Sequence, residues 1–149
     1  AINKIGAIVN FIHPASSENE IKKFVNDMNS KIIIAIDSNY WKIENIEKET
    51  ELEKIILVSL NNYMPFVNKI RYHRNKVKLK LTKKEKLYTV WHDFILKSAN
   101  IYLKDYIGHC SKDDPAIILH SGGTTGTPKG VVLSNNNLII FSCTFVRSL

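Results

Sequence analysis

The chain has 149 residues, of which 44% are hydrophobic, and a formal net charge of +7. This length is sufficient for a domain with its own core, and no apolar run reaches the roughly 18 residues that a membrane-spanning helix needs. Cys110 and Cys143 lack the spacing of a disulfide framework, which predicts a reducing compartment and hence a cytoplasmic location. The positive charge does not by itself select nucleic acid or an anionic membrane, because a lysine excess also follows from the biased composition of a chain rich in isoleucine and asparagine.

The first sixty residues alternate between apolar runs and helical patterns. The runs are typical of strands covered on both faces of a parallel sheet, and they span residues 6–12, 31–36 and 55–60. Ser17 and Glu20 fit a capping box at the start of a helix. The apolar face of that helix is formed by Ile21, Phe24, Val25 and Met28. A second, short helix is predicted for residues 40–51. This order of elements predicts a doubly wound α/β fold with a parallel sheet.

Four polar residues invite a catalytic interpretation, two of them near these elements and two further along the chain. His13 precedes Pro14, which is more typical of a turn residue than of a ligand. Asp37 follows the second strand, where an acidic residue can be catalytic in α/β folds, but a turn cap is the simpler interpretation. His92 and Asp93 are adjacent on a predicted helix and therefore point apart, so we expect no chemistry there.

Residues 61–86 form a strongly basic segment that also carries aromatic and aliphatic residues. An apolar face with basic neighbours is typical of a segment that binds a membrane surface. The alternative is an exposed insertion whose lysines are solvated, and the change of apolar periodicity midway favours it. No fold or base-stacking motif for nucleic acid accompanies the charge, so we expect no nucleic-acid partner.

Helical spacing returns between residues 87 and 103. Its apolar positions are Trp91, Phe94, Ile95, Ala99 and Tyr102. A polar link at residues 111–115 then introduces an apolar run at 116–119, which we interpret as a strand. The sequence contains no internal repeat and no cluster with metal-ligand spacing, so no metal-binding residue is predicted.

A loop of small and hydroxylated residues follows this strand, from Ser121 to Gly130. Glycines accept positive φ and let successive backbone N–H groups surround an anion, while Pro128 limits how far the loop can collapse. The residues expected to hold phosphate are Ser121, Gly122, Gly123, Thr124, Thr125, Gly126 and Lys129. Apolar residues 131–133 predict a second strand after the loop, and residues 134–137 offer N-cap candidates for a helix.

Two common phosphate loops are excluded by spacing. A Walker loop needs Gly-Lys-Ser/Thr leading into a helix, whereas Lys129 lies between Pro128 and Gly130. The dinucleotide fingerprint Gly-x-Gly-x-x-Gly is also absent, and this loop is predicted to join strand to strand. The remaining alternative to phosphate binding is a glycine-rich hairpin turn without a ligand.

At Ser121 to Gly130, which read SGGTTGTPKG, the chain resembles the adenylate-forming, or AMP-binding, enzymes: acyl-CoA synthetases, luciferases and the adenylation domains of peptide synthetases. Gly123 looks like the variant common in long-chain fatty acyl-CoA synthetases, whereas His120 departs from the Thr or Tyr usual in the family. A weaker resemblance covers Gly6 to Pro14, so the match spans most of the chain.

The resemblance implies that residues 1–149 are part of a large N-terminal domain. Its expected divisions are a βαβαβ segment (1–60), a basic insertion (61–86), a helical segment with a link (87–114), and strand, phosphate loop, strand and helix start (115–149). The family's adenine-contacting segment, ribose-binding Asp and catalytic Lys would lie beyond Leu149. We therefore name no catalytic residue and expect the 149 residues alone to be inactive.

The resemblance further implies ATP-dependent activation of a carboxylic acid, a medium- or long-chain fatty acid, to an acyl-adenylate and its transfer to coenzyme A. ATP, Mg²⁺, coenzyme A and the acid would be the partners, with peripheral membrane contact through residues 61–86. Two alternatives stay open: another ligase that adenylates amino acids or aryl acids, and a non-catalytic basic module at a membrane surface.

Overall fold

The computed structural model describes residues 2–60, 87–98, 107–108, 110–121 and 128–147. Within them the strands are β1 (Val9–Phe11), β2 (Ile32–Ile36), β3 (Lys54–Val58), β4 (Tyr88–Val90), β5 (Pro115–His120) and β6 (Gly130–Ser134). The α-helices are α1 (Glu18–Asp27), α2 (Tyr40–Ile46), α3 (Trp91–Ser98) and α4 (Asn135–Arg147). Short 3₁₀ turns occupy Ile2–Ile5, Asp37–Asn39 and Glu47–Glu49. The predicted α/β fold with parallel strands is confirmed.

The chain divides into two compact units. The first comprises Ala1–His13 and Tyr102–Leu149, and we call it the loop unit because it contains the predicted phosphate loop. The second comprises Pro14–Ile101, and we call it the sheet unit. The first sixty residues follow the predicted order of strands and helices, but β1 pairs within the loop unit whereas β2 and β3 pair within the sheet unit.

The sheet unit is organised around three parallel strands in the order β2-β3-β4. Ile55, Ile56 and Leu57 on the central strand β3 are at most 2% exposed, so both faces of this strand are covered. The end strand β2 differs, because Ile32 and Ile34 remain 59% and 45% exposed. The expectation that residues 31–36 are covered on both faces was therefore wrong: Ile32 and Ile34 lie two positions apart, on the same face of β2, and that face is left partly open to solvent.

Helix α1 begins as predicted. Ser17 and Glu20 form the capping box: the Glu20 N–H donates to Ser17 Oγ, and Glu20 Oε2 accepts from the Ser17 N–H at 2.8 Å. This backbone hydrogen bond lowers the pKa of Glu20 below its ordinary value. Ile21, Phe24 and Val25 are buried as expected from their spacing, whereas Met28, at the C-cap, is only partly buried.

Helix α2 is shorter than the predicted 40–51 and is extended by the 3₁₀ turn Glu47–Glu49. Polar bonds tie it to α1: Asn45 Nδ2 donates to Glu18 Oε2 at 3.0 Å, and Lys22 pairs with Glu49 at 2.9 Å. Near the turn that precedes α2, the main-chain carbonyl of Asp37 accepts from the Tyr40 N–H. The Asp37 carboxylate itself caps nothing in the described residues, so the interpretation of its side chain as a turn cap was wrong.

Two buried tyrosines pack against each other between α2 and β4. The Tyr40 and Tyr88 rings lie 5.3 Å apart at 57°, Tyr40 donates to Glu44 at 2.9 Å, and Tyr88 donates to Glu47. Burial raises the pKa of Tyr40 to about 12 and also raises that of Tyr88, with the neighbouring carboxylates adding to both shifts. Both hydroxyls are therefore neutral donors over the physiological pH range.

The helix predicted from residue 87 starts only at Trp91. Tyr88–Val90 instead form β4, because an aromatic and two β-branched residues suit a strand and the edge of β3 supplies hydrogen-bond partners in the register Ile55↔Tyr88 and Leu57↔Val90. No side chain of α3 is buried. Positions 99 and 102 of the predicted apolar face, and the whole basic segment 61–86, lie outside the described residues.

Candidate functional site

Strand β5 carries the predicted phosphate loop and is the central strand of the loop unit, in the order β1-β5-β6. It runs parallel to β1 and antiparallel to β6, so this sheet is mixed. Ala116 and Ile118 are buried, whereas Leu119 is 42% exposed. The apolar stretch that forms β1 extends only over Val9–Phe11, and as an end strand it leaves Phe11 52% exposed rather than covered as predicted.

The loop closes on itself at Ser121 and Lys129. The Ser121 N–H donates to the Lys129 carbonyl at 2.9 Å. The Ser121 hydroxyl also bonds Lys129, lying 3.3 Å from its carbonyl oxygen and accepting from its N–H at 3.4 Å. These bonds continue the ladder beyond the His120↔Gly130 pair. The prediction that this loop joins one strand to another is confirmed.

Of the residues expected to hold phosphate, the structure describes the first and the last. Ser121 and Lys129 are both exposed and are brought together at the base of the hairpin. The intervening five, Gly122, Gly123, Thr124, Thr125 and Gly126, lie outside the described residues. Within the described part, Lys129 forms no ion pair with a carboxylate. Its side chain is exposed to solvent.

One contact beside the loop was not anticipated. Asn10 Oδ1 on β1 lies 2.6 Å from Nε2 of His120, the last residue of β5. An amide oxygen can only accept, so a hydrogen bond here requires the ring proton on Nε2. In the sequence, Asn10 stands out only as the single polar residue in the apolar run 6–12. Strand pairing is needed to show that it contacts His120, 110 positions away.

The chain leaving the hairpin is anchored at the start of α4. Ser134 caps this helix, accepting from the Asn137 N–H at 3.3 Å while Asn137 Oδ1 accepts from the Ser134 N–H at 2.9 Å. The next residue, Asn135, donates from Nδ2 to the carbonyl of Ser111 at 2.8 Å, and its N–H donates to the carbonyl of Asp114. The N-cap prediction is confirmed for Ser134, and these bonds hold the exit of the hairpin against the link that enters it.

The described geometry offers positive charge and hydrogen-bond donors rather than acid–base chemistry. An exposed ammonium and a hydroxyl stand at the two ends of a glycine- and threonine-rich loop on a fixed strand pair. Such a set suits an anion with several oxygens, because donors from a short loop can converge on it. We assign no general base and no nucleophile to this unit.

Much of the surface near the hairpin is apolar. Val131 and Val132 on β6 are 46% and 54% exposed, and Phe141 on α4 is 71% exposed. Among the helices that the structure describes, none has the length and apolar character needed to cross a membrane.

Comparison with known proteins gives one consistent result. The model of the AMP-binding enzyme family matches residues 1–148. The long-chain-fatty-acid–CoA ligase of Bacillus subtilis (strain 168) is 30% identical over 146 residues, which cover 90% of this chain and 24% of that protein. The 4-coumarate–CoA ligase-like 6 of Arabidopsis thaliana is 31% identical over 143 residues, which cover 96% of this chain and 21% of that protein.

A solved structure of similar fold is the anthranilate CoA ligase AuaEII in complex with anthranoyl-AMP. It superposes with a TM-score of 0.70 and 19% sequence identity, covering 95% of this chain and 23% of that one. The chain thus spans about a quarter or less of the length of these relatives.

Proposed function

The chain belongs to the AMP-binding enzyme family, and from this premise we propose that the complete protein is an ATP-dependent acid–CoA ligase whose substrate is a medium- or long-chain fatty acid. The observation that carries the proposal is the hairpin closed by Ser121 and Lys129, with an exposed lysine at the end of a glycine- and threonine-rich loop. The proposed role of this loop is to hold the β- and γ-phosphates of ATP.

The proposed reaction has two steps. A carboxylate oxygen of the acid attacks the α-phosphorus of ATP, and the bond to the β-phosphate oxygen breaks, so that pyrophosphate leaves with its electron pair. The thiolate of coenzyme A then attacks the acyl carbonyl, and AMP leaves. In the first step charge develops on the departing pyrophosphate, and the Lys129 ammonium with the backbone N–H groups of the loop would stabilise it there.

Mg²⁺ enters this proposal as part of the nucleotide substrate. Within the described ranges there is no group of three His, Cys, Asp or Glu side chains that could hold a metal ion, so these residues do not fit a resident ion. The ligands that we propose for the phosphates are Ser121, Gly122, Gly123, Thr124, Thr125, Gly126 and Lys129.

The choice of a fatty acid rests on two features. The relatives are named as ligases of a long-chain fatty acid, 4-coumarate and anthranilate, so family membership leaves the acid open. The first feature is the Gly122-Gly123 pair. The second is the basic segment 61–86, which we propose to be an insertion that contacts a membrane surface. Both favour a lipid substrate for a cytoplasmic enzyme. A panel of acids tests this: adenylation of amino acids or aryl acids, with fatty acids inert, would contradict the substrate assignment.

The phosphate-binding role is tested by Lys129→Ala in the complete protein. Losing one charge-assisted hydrogen bond is worth roughly 1.5–3 kcal/mol, so we expect ATP–pyrophosphate exchange to slow by about ten- to a hundredfold. The melting temperature of the ligand-free enzyme should hardly change, because the Lys129 side chain is exposed and the hairpin bonds use its backbone.

The matched control is Lys112→Ala, which removes an exposed lysine from the link before β5 in the same unit. It should exchange pyrophosphate at the parental rate. If Lys129→Ala also keeps the parental rate, or if it unfolds the enzyme, the loop is structural and the proposed function loses its main support.

A further inference from the structure

Two polar residues stand side by side at the carboxyl edge of the sheet unit. Asp37 is the first residue after β2 and Ser59 the first after β3, and the last residues of the two strands, Ile36 and Val58, are partners in the parallel register. Ile36 is still extended, with φ −71° and ψ 143°. Because side chains alternate along extended backbone, Asp37 and Ser59 leave the strands towards the same side of the sheet.

The side-chain oxygens of both residues are buried. Asp37 is 8% exposed, and each of its two carboxylate oxygens has less than 1 Å² of accessible surface. The Ser59 hydroxyl oxygen is buried to the same degree. Among the described residues, none of these three oxygens has a hydrogen-bond partner, and they are not bonded to each other. Three oxygens on two residues at the same edge of the sheet are therefore withdrawn from bulk water without a direct protein partner in that part of the chain.

This arrangement is energetically unfavourable unless something compensates it. A buried carboxylate without a partner carries a large desolvation cost, and buried polar groups in folded proteins are almost always satisfied. The sheet unit satisfies its other buried carboxylate, since Glu47 accepts from the Tyr88 hydroxyl. Asp37 is thus a specific exception within a unit that otherwise pairs its buried acid.

We propose that Asp37 and Ser59 bind a monovalent cation, K⁺ or Na⁺, at the carboxyl edge of β2 and β3. One carboxylate supplies one negative charge, which a single monovalent ion neutralises. Hard cations prefer oxygen ligands; Ca²⁺ takes about six to eight of them, and Mg²⁺ is usually held together with substrate phosphates. The described residues offer no cluster of three acidic, His or Cys side chains for such an ion. The carboxyl edge of a parallel sheet is also where α/β folds place their ligands.

The site lies at the junction of β2, β3 and the turn that starts α2. A cation bound there holds the ends of the two strands and the Asp37–Asn39 turn together, so its effect is on the stability of the sheet unit. The inference is independent of the proposed reaction, because it involves no residue of the phosphate loop and requires no turnover.

The test uses the complete, ligand-free protein and chloride salts of K⁺, Na⁺ and tetramethylammonium at equal ionic strength. A cation that binds only the folded state raises the melting temperature as its concentration increases. We expect K⁺ or Na⁺ to raise it by at least about 2 °C over tetramethylammonium, which is too large for the site. Asp37→Asn should abolish this difference and Ser59→Ala should reduce it, whereas Asp113→Asn, which changes an exposed carboxylate in the loop unit, should retain it.

A second measurement does not depend on the variants folding. Crystals of the wild-type protein soaked in RbCl should show an anomalous peak within contact of both Asp37 and Ser59. The proposal is overturned if the wild-type melting temperature is the same in all three salts and no such peak appears. A lysine or other donor bonded to Asp37 in that crystal structure, or a protonated Asp37 shown by an Asp37→Asn variant as stable as wild type in every salt, would also overturn it.

Discussion

The two units differ in how much of their apolar surface they bury. In the sheet unit, β3 is covered on both faces, and α1 and α2 each contribute three nearly inaccessible apolar side chains. In the described part of the loop unit, the buried apolar residues are Ala116 and Ile118, while β6 and α4 expose valines, isoleucines and phenylalanines. The sheet unit therefore has a core made of its own residues. The loop unit holds its hairpin mainly by hydrogen bonds.

This difference indicates that stability and ligand binding depend on different units. The proposed phosphate loop is carried by a strand pair with sparse apolar support. Ser121 and Asn135 bond the backbone there, and Asn10 contacts the His120 side chain. Free energy of unfolding should therefore depend mostly on the sheet unit, and ligand binding mostly on the loop unit. Four measurements test whether the two units differ in this way.

The largest effect is expected for Ile55→Ala. Ile55 is fully buried at the centre of β3, and removing such a side chain leaves a cavity that costs about 2–5 kcal/mol. Ile32→Ala is the matched control, because the same substitution falls on a residue that is 59% exposed on the end strand β2. Urea denaturation measures both. Equal losses would show that β2 is covered by residues outside the described ranges.

The second effect appears at high pH. The raised pKa of Tyr40, about 12 against an ordinary 10.0, means that its neutral form is favoured in the folded state. Its stabilising contribution is thus complete below pH 10 and is lost as pH rises through about 12; Tyr88 shifts in the same direction. Circular dichroism and tyrosinate absorbance, followed together, should show these tyrosines ionising only as the sheet unit unfolds. Their ionisation near pH 10 in a folded protein would contradict this account.

A smaller effect on the free energy of unfolding is expected from removing the N-caps of α1 and α4, and it should differ between the two helices. Ser17→Ala removes the cap of α1, whose buried side chains couple its first turn to the core, and should cost about 1 kcal/mol. Ser134→Ala removes the corresponding bond at the start of α4. Because the described side chains of α4 are largely exposed, the loss should appear as local fraying in hydrogen exchange and less in global stability. A larger loss of global stability for Ser134→Ala than for Ser17→Ala would contradict the proposed difference between the two units.

The smallest effect is expected for Phe141→Ala. Phe141 is 71% exposed and contacts Phe145, with the two rings 6.3 Å apart. Surface substitutions of this kind usually change the free energy of unfolding by less than about 0.5 kcal/mol. The chain and the complete protein should be compared in the same denaturant series. A loss of several kcal/mol in the complete protein alone would show that other segments bury this face.

Local features of the molecule were predictable from the sequence. The capping box at Ser17 and Glu20, the buried face of α1 and the strand–loop–strand arrangement around Ser121 and Lys129 depend on residues only a few positions apart. Side-chain hydrogen bonds at a helix start and backbone preferences of glycine and proline act over that range, so the order of residues is sufficient to determine them.

Tertiary structure decided which strands pair and which faces are covered. The partner of β1 is β5, more than one hundred residues away, and from this pairing follows the Asn10–His120 contact beside the loop. Tyr88–Val90 became a strand because β3 offered a free edge, against a helical pattern that began at residue 87. The apolar runs of β2 and β3 look alike in sequence, yet one is half exposed and the other buried. Burial depends on a residue's neighbours in space, and the run itself does not specify them.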